Sequence, residues 1–402
     1  MHILYLHQHF ALPSGSTGTR SYEMARRWVA AGHQVTLICG RGDACGLPDQ
    51  SEFEVEGIQV RVVGAKYSQK HSFMQRIWAF FYFMMACTLQ GLRVRNIEIV
   101  YATSTPLTIG IPAMLLKWGK RIPFVFEVRD QWPEVPIEMG IIKNHLLIKS
   151  LFWLEKTIYK KSSAIVALSP GMALGVRKVL SPIQKPVSVI PNSCDTALFK
   201  PDIDGSEIRA RHNWHNKFIL LHVGAMGKVN SLDFVVEAAQ RLKDEKDIHF
   251  VLLGDGSQKQ TLKEKINSLK LNNIEILPPV SKKNMPVYFA AANVGLVVIG
   301  NHPIIEHNSA NKFFDSLSAG KCVLLNYSGW QRKILEENNA GLGCKLCNID
   351  EFTEKVLYLA GHHQERKAMG RNARKLAEEQ FSRDKLARDA LELINKSLKK
   401  KV

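Results

Sequence analysis

The sequence lacks an apolar stretch long enough to cross a bilayer. The longest candidate, residues 77–89 (IWAFFYFMMACTL), falls short of the about 20 residues that a spanning helix takes. Cysteine is also sparse, with seven scattered along 402 residues. Cys344 and Cys347 form one CxxC without a second pair, which argues against a metal or redox role. No cleavable signal precedes the first apolar strand, so the sequence favours a reducing cytoplasm.

Acidic residues are scarce where basic residues are dense. The chain has 54 Lys+Arg against 37 Asp+Glu, a net charge of +17, and residues 61–180 alone hold 17 basic and 6 acidic side chains. Such a surplus indicates an anionic partner. The stretch has no zinc-ligand spacing, helix-turn-helix pattern or RNA-binding aromatic signature, which argues against nucleic acid. An anionic membrane surface fits better.

Two apolar segments of this basic region predict helices at such a surface. Residues 73–92 carry Trp78, Phe80, Phe81 and Phe83 between flanking lysines and arginines, as in helices that enter the headgroup layer. Residues 143–161 place leucines at helical spacing beside lysines. The alternative for both is a helix buried against an α/β sheet. Membrane contact is favoured for the first segment, whereas burial fits the second at least as well.

Strand and helix patterns alternate through both halves, which predicts parallel sheets covered by helices on both faces. A single core stops growing at about 250–300 residues, so we expect two doubly wound, Rossmann-like domains, residues 1–200 and 201–380. Residues 381–402 predict a last helix that can return to the first domain. The predicted strands are residues 2–6, 35–39, 99–102, 123–128, 164–168, 187–190, 218–223, 248–253, 274–277, 294–298 and 322–325.

Residues 306–321 (EHNSANKFFDSLSAGK) predict a loop and a short helix that can hold a nucleotide. Ser309 or Asn308 can cap this helix. Asn311 and Lys312 lie in its first turn, where free N–H groups attract phosphate. Asp315 lies one turn beyond Asn311 on the same face, where a carboxylate can accept hydrogen bonds from both ribose hydroxyls. An ordinary capped surface helix is the alternative.

Glycine turns follow several predicted strands, at the sheet edge where doubly wound domains bind ligands. Glycine lets backbone amides approach an anion or a sugar. The first turn leads into a helix that Thr17 or Thr19 can cap, and it lacks GxGxxG, which argues against a nicotinamide or flavin. The glycines and the polar residues beside them are Gly15, Gly18, Gly224, Lys228, Gly254 and Asp255.

A charged cluster, RDQWPE, follows the predicted strand 123–128. Arg129 can neutralise a diphosphate, and Asp130 can orient Arg129 or a substrate hydroxyl. The alternative is an ion pair between these two residues within their own domain.

The order of these motifs resembles the retaining GT-B glycosyltransferases of family 4. The resemblance spans nearly the whole chain, through the Gly15–Gly18 loop, RDQWPE, SPGM, PNSCDTALFKP, HVGAMGK, LLGDGS and NSANKFFDSLSAGK. The opening LYLHQHFALPSGSTGTRSYEMARRW is similar to L-fucosamine transferases of the WbuB type, which act in O-antigen and capsule biosynthesis. The resemblance implies an α/β GT-B fold, two Rossmann-like domains facing across a cleft, with a nucleotide-sugar donor on the second domain and an acceptor on the first. It implies no metal and no other cofactor.

The resemblance also implies residue roles. Asp315 takes the place of the second glutamate of the family's Glu-x7-Glu motif, which grips the ribose. The place of the first glutamate falls at His307, with Glu306 beside it. The residues then expected in catalysis are Arg129, Asp130, Lys228, Glu306 and His307. Those expected to hold the nucleotide sugar are Gly15, Gly18, Gly224, Gly254, Asp255, Ser309, Asn311, Lys312 and Asp315.

This chain departs from the family pattern at three positions. Arg129 stands where the family often has histidine, and Ala225 and Asn230 stand where an arginine and a lysine often follow the glycine. The donor diphosphate must then be met by other groups. We expect Lys228, Arg129 and the helix amides near Asn311, with Lys312 in reserve.

The implied activity is transfer of a sugar with retained anomeric configuration from a UDP-sugar to an undecaprenyl-diphosphate-linked saccharide. The implied sugar is an N-acetylated 6-deoxyhexosamine such as N-acetyl-L-fucosamine. The protein is expected in the cytoplasm, peripheral on the inner face of the membrane. One alternative is a nucleotide-sugar 2-epimerase, which would convert donor without acceptor. Another is a non-catalytic GT-B membrane partner, suggested by the substituted family positions.

Overall fold

The computed structural model describes residues 1–15, 18–42, 45–64 and 72–399. The chain forms two compact units, Met1–Pro191 with Arg383–Val402, and Asn192–Ser382. The chain enters the second unit at Asn192, before the boundary expected between residues 200 and 201. Its last helix, which begins at Arg383, belongs to the first unit.

The first unit is built on an eight-stranded sheet in the order β3-β4-β2-β1-β5-β6-β7-β8. All neighbouring strands are parallel except β3 and β4, which form an antiparallel edge hairpin. This hairpin was not predicted, because β3 is only partly buried and carries no apolar run. The strands are β1 His2–Leu6, β2 Gln34–Cys39, β3 Glu52–Val55, β4 Ile58–Val62, β5 Ile99–Thr103, β6 Phe124–Val128, β7 Ala164–Ala167 and β8 Val187–Val189.

The second unit is built on six parallel strands in the order β11-β10-β9-β12-β13-β14. Strands β9 and β10 run past their predicted ends because Gly224 pairs with Gly254 and the ladder continues to Ala225 and Asp255. The short β14 was not predicted. The strands are β9 Phe218–Ala225, β10 Ile248–Asp255, β11 Ile274–Leu277, β12 Val294–Val297, β13 Cys322–Leu325 and β14 Gly341–Gly343.

Helices connect the strands of each sheet, as parallel topology requires. The helices of the first unit that precede Pro191 are α1 Arg20–Ala30, α2 Phe73–Arg93, α3 Gly110–Lys120, α4 Glu134–Glu138, α5 His145–Lys161 and α6 Pro170–Leu180. Those of the second unit are α7 Ser206–Arg211, α8 Asp233–Arg241, α9 Lys259–Ser268, α10 Met285–Ala291, α11 Asn311–Ser318, α12 Gly329–Glu337, α13 Ile349–Gly361 and α14 His363–Glu379. The last helix, α15 Arg383–Lys399, packs on α1, where Arg383 pairs with Glu23 at 2.8 Å.

Both faces of each sheet are buried. On β1, Ile3 and Tyr5 belong to one apolar cluster and Leu4 to another, because successive side chains point to opposite faces. On β9, Leu220 and Leu221 divide between two clusters in the same way. This burial explains why the strands read as continuous apolar runs in the sequence.

Helix α2 has two apolar faces. Ala79, Phe83 and Cys87 are buried at a spacing of four residues, which puts them on one side of the helix. Trp78 is 63% exposed on another side. Burial is therefore confirmed for one face of α2, while another face presents apolar side chains outward, and contact of that face with a membrane stays a prediction. Within the described residues, no helix combines the length and the apolarity needed to cross a membrane.

Candidate active site

Lys312, on the first turn of α11, is a cation that the fold surrounds with neutral groups. Its Nζ lies 2.8 Å from Asn230 Oδ1 and 3.2 Å from His222 Nε2. Burial lowers the pKa of His222 well below its ordinary value, so the imidazole is neutral at pH 7. Burial also lowers the pKa of Lys312 to about 7. Across the part of the chain that the structure describes, no carboxylate pairs with Lys312. An anionic ligand would supply the missing charge.

The start of α11 offers backbone amides beside this amine. Ala310 occupies the cap position and no side chain caps the helix, so the expected cap by Ser309 or Asn308 is wrong. Ser309 Oγ instead accepts a hydrogen bond from the backbone N–H of Asn192 at 3.0 Å, so this hydroxyl does not cap α11. First-turn N–H groups without a cap favour an anion. Asn311, which begins the helix, is exposed.

The loop after β9 lies against Lys312. Asn230 donates through Nδ2 to the Ala225 carbonyl at 2.8 Å and faces Lys312 with Oδ1. A Cβ on Gly224 would lie 3.8 Å from Lys312 Cε. Asn230, one of the three departures from the family pattern, thus brings an amide oxygen to the Lys312 amine. Lys228, the cation predicted to meet the diphosphate, is exposed in the 3-10 turn Lys228–Asn230.

Gly254 has a packing role in the neighbouring strand. A Cβ there would lie 1.9 Å from the Gly224 carbonyl oxygen, so the two strand ends approach closely only because Gly254 has no side chain. Asp255 accepts the Gly256 N–H at 2.9 Å and lies 3.6 Å from Lys259. The Gly256 amide is thus used inside its own turn rather than offered to a ligand.

Asp315 is paired with a cation, Lys282, that was not predicted from the sequence. Lys282 Nζ donates to Asp315 Oδ1 at 2.6 Å and lies 4.7 Å from the centre of the Phe199 ring. Lys282 begins the 3-10 turn that follows β11. Because it is 33 residues from Asp315 in sequence, motif spacing gave no sign of the pair.

The two positions expected beside the donor sugar fall on the 3-10 turn Pro303–His307. Glu306 accepts the Ser328 N–H through Oε1 at 3.1 Å, which holds the turn after β13. His307 is partly buried. Both remain candidates for contact with the sugar.

In the first unit, Arg129 follows β6 and joins a histidine from the end of β1. Arg129 Nη1 lies 3.3 Å from His7 Nε2, and His7 Nδ1 lies 2.8 Å from Ser21 Oγ on α1. Burial and Arg129 lower the pKa of His9 to about 4, so this second imidazole is neutral at pH 7. His7 and His9 directly follow the first predicted strand, and that position was the signal that could have identified them.

Asp130 does not pair with Arg129, the alternative raised from sequence. Its Oδ2 accepts the Thr105 hydroxyl at 2.6 Å, at the end of β5. The Gly15 amide donates to the Leu12 carbonyl at 2.9 Å, so it is used within its own loop. Gly18 is partly buried just before α1, and Thr17 lies outside the described residues. Thr19 is at the cap position of α1, but its side chain makes no capping bond.

Beneath these residues lies a buried ion pair. Arg20 of α1 contacts Glu127 of β6 through Nη2 at 2.8 Å, and the two side chains are 3% and 0% exposed. Glu127 also accepts the Tyr101 hydroxyl at 2.7 Å. Burial opposes both charges, yet Arg20 holds the pKa of Glu127 below its ordinary value. This pair is complete without a ligand.

The fold, together with two family models that match the chain, identifies the class of protein. Residues 15–193 match the glycosyl transferase 4-like domain and residues 204–376 match glycosyl transferases group 1. With two Rossmann-like α/β units matched by these consecutive domains, the chain belongs to the GT-B glycosyltransferases.

Particular proteins give narrower similarities. The chain is 21% identical over 260 residues to the probable glycosyltransferase WbjE of Pseudomonas aeruginosa, covering 63% of both chains. Over 115 residues it is 31% identical to WcaI of Escherichia coli K12, described as a colanic acid biosynthesis glycosyl transferase, covering 28% of each. These matches span less than two thirds of either relative. Anabaena HepE, solved with UDP and glucose, shares the fold with a TM-score of 0.74 at 15% identity, covering 98% of this chain and 100% of HepE.

Proposed function

We propose that this protein transfers a sugar from a UDP-sugar to a lipid-linked saccharide acceptor during synthesis of a cell-surface polysaccharide. The observation that carries the proposal is Lys312, a cation among neutral partners at an uncapped helix start. Family membership supports glycosyl transfer, and the UDP complex of HepE supports the nucleotide. The relation to WcaI supports the biosynthetic setting.

The second unit would hold the donor. Lys312 and the first amides of α11 would neutralise the diphosphate. Asp315, one turn further along α11, would accept hydrogen bonds from the ribose hydroxyls. Glu306 or His307 would contact the transferred sugar, for which we propose an N-acetylated 6-deoxyhexosamine such as N-acetyl-L-fucosamine.

Transfer would retain the anomeric configuration. The acceptor hydroxyl would attack the anomeric carbon on the face from which the UDP leaves, the carbon–diphosphate bond would break, and the acceptor proton would pass to the leaving diphosphate. Catalysis then rests on positioning and on charge stabilisation at the diphosphate. On the acceptor side, the first unit offers neutral imidazoles at His7 and His9 beside Arg129. No metal is required in this proposal.

The acceptor would be an undecaprenyl-diphosphate-linked saccharide, met at an anionic bilayer on the inner face of the cytoplasmic membrane. Helix α3 contacts both α2 and α5, and each of the three exposes one tryptophan: Trp78 at 63%, Trp118 at 84% and Trp153 at 68%. Tryptophan favours the headgroup layer, and the excess of lysine and arginine around these helices complements anionic lipid. Phe83, expected at this surface, lies on the buried face of α2.

Radiolabel transfer from a panel of UDP-, GDP- and dTDP-sugars to membrane lipid extracts tests the activity. We expect transfer from a UDP-sugar by the unaltered chain and its loss in Asp315→Ala. Asp244→Ala, at an exposed aspartate of the same unit, is the matched control and should keep full activity. Donor conversion without lipid extract would instead establish an epimerase. No turnover of any donor would favour the non-catalytic partner.

Flotation with vesicles tests the membrane surface separately. Replacing Trp78, Trp118 and Trp153 by serine should abolish binding to vesicles that contain phosphatidylglycerol. Leu357→Ser, at an exposed apolar position of the second unit, is the control. Undiminished binding by the triple variant would contradict the assignment of this surface.

A further inference from the structure

The ion pair between Lys282 and Asp315 is absent from every motif in the sequence, and it joins two elements of the second unit. Lys282 Nζ contacts Asp315 Oδ1 at 2.6 Å, and both side chains are largely buried. The ammonium also faces the Phe199 ring at 4.7 Å. Phe199 is fully buried and packs edge-on against Phe289, so the ring is a fixed platform. Lys282 is therefore held from two sides.

We propose that Lys282 is a positioning residue for nucleotide binding, which fixes the Asp315 carboxylate so that its free lone pairs meet the two ribose hydroxyls. This inference rests on the donor site proposed above. A carboxylate has about four acceptor positions, and Lys282 uses one of them on Oδ1. The remaining positions, chiefly on Oδ2, suffice for both hydroxyls without displacing the ammonium.

Charge gives a second reason for the pair. The donor diphosphate and Asp315 are both negative and would lie along one short helix, where a bare carboxylate would repel the diphosphate. Lys282 neutralises Asp315 and leaves Lys312 available for the diphosphate. The two lysines would thus have separate roles, since Lys282 is paired with an acid and Lys312 contacts neutral groups.

The consequence is selectivity for ribose. A carboxylate held in one orientation gains from both hydroxyls, so UDP should bind more tightly than 2′-deoxy-UDP. Without Lys282 the carboxylate can rotate, and much of that preference should disappear. A role confined to folding or overall charge would weaken both nucleotides equally and leave their ratio unchanged.

Calorimetric titration with UDP and 2′-deoxy-UDP tests the proposal. Lys282→Met should weaken UDP binding about tenfold, the order of one charge-assisted hydrogen bond, and bring the ratio of the two dissociation constants towards one. Lys282→Arg should keep most of the affinity and the preference. Lys283→Met is the matched control, because it removes the same charge from an exposed position on the same turn; it should bind as the unaltered chain does.

A double variant shows whether Lys282 acts through Asp315. Lys282→Met combined with Asp315→Ala should bind UDP no more weakly than Asp315→Ala alone, with thermal unfolding as a check that each variant folds. Unchanged UDP affinity in Lys282→Met, or equal loss for both nucleotides, would overturn the inference while leaving the donor site standing. An unaltered chain that binds no nucleotide would overturn the donor site itself.

Discussion

Each unit holds a basic side chain near the strand ends of its sheet, buried in the case of Arg20 and partly buried in the case of Lys312, and the two differ in their partners. Arg20 of the first unit meets Glu127 and the carbonyl of Ile190, and Glu127 also accepts the Tyr101 hydroxyl. Lys312 of the second unit meets only the neutral His222 and Asn230 among the described residues. A buried charge with a full set of partners is compensated within its own unit, and removing one partner is costly. A cation without a carboxylate is costly for folding and is best explained by a ligand.

Breaking the Arg20 pair should have the largest effect. Arg20→Met leaves the Glu127 carboxylate buried and uncompensated, and we expect the first unit to lose about 3–5 kcal/mol of unfolding free energy. Hydrogen exchange of peptides from β5 and β6 measures this loss in the first unit by itself. Arg61→Met removes a partner of the exposed Glu52 at the edge of the same sheet and should cost less than about 1 kcal/mol. Equal losses of unfolding free energy in the two variants would contradict the expected difference between the buried pair and the surface pair.

Lys312→Met tests the other half of the comparison. Turnover of the UDP-sugar should fall by about 10²–10³, as when one charge-stabilising group is lost from an active site. The midpoint temperature of thermal unfolding should not fall, because removing the amine leaves no carboxylate without its partner. Lys228→Met, which removes an exposed cation from the adjacent loop, should retain most activity. A larger loss in Lys228→Met than in Lys312→Met would reverse the assignment.

A smaller effect should appear with pH. Burial lowers the pKa of Lys312 to about 7, so the free protein loses this ammonium as the pH rises through 7. A bound diphosphate favours the charged form, and binding is then accompanied by proton uptake. The affinity for UDP should fall by up to about tenfold per pH unit above pH 7, where UDP, with a terminal phosphate pKa of about 6, is fully ionised.

Lys312→Arg checks the origin of this pH dependence, because arginine stays charged throughout this range. Its affinity for UDP, measured calorimetrically between pH 7 and 9, should be nearly flat. A slope as steep as that of the unaltered chain would assign the titration to another group.

The fold could be predicted from the sequence because most of its strands lie in sheets that are buried on both faces. Apolar runs such as residues 2–6 and 322–325 mark strands directly, and their bounds match the structure. The hairpin of β3 and β4 was missed because partly exposed strands carry a weaker apolar signal. The ends of β9 and β10 were placed early, because Gly224 and Gly254 indicate turns unless their mutual contact is known.

The candidate site could be predicted from the sequence only in part, for a different physical reason. The α11 segment was recognised because its residues are adjacent in sequence. The partners that define its chemistry are distant: His222 and Asn230 for Lys312, and Lys282 for Asp315. Sequence spacing placed Ser309 at the helix cap, whereas tertiary contact with Asn192 takes its hydroxyl elsewhere.

A structure with UDP bound would show which cation meets the diphosphate. We expect a diphosphate oxygen within about 2.7–2.9 Å of Lys312 Nζ and a ribose hydroxyl on Asp315. A diphosphate held by Lys228, with Lys312 still on His222 and Asn230, would contradict this expectation.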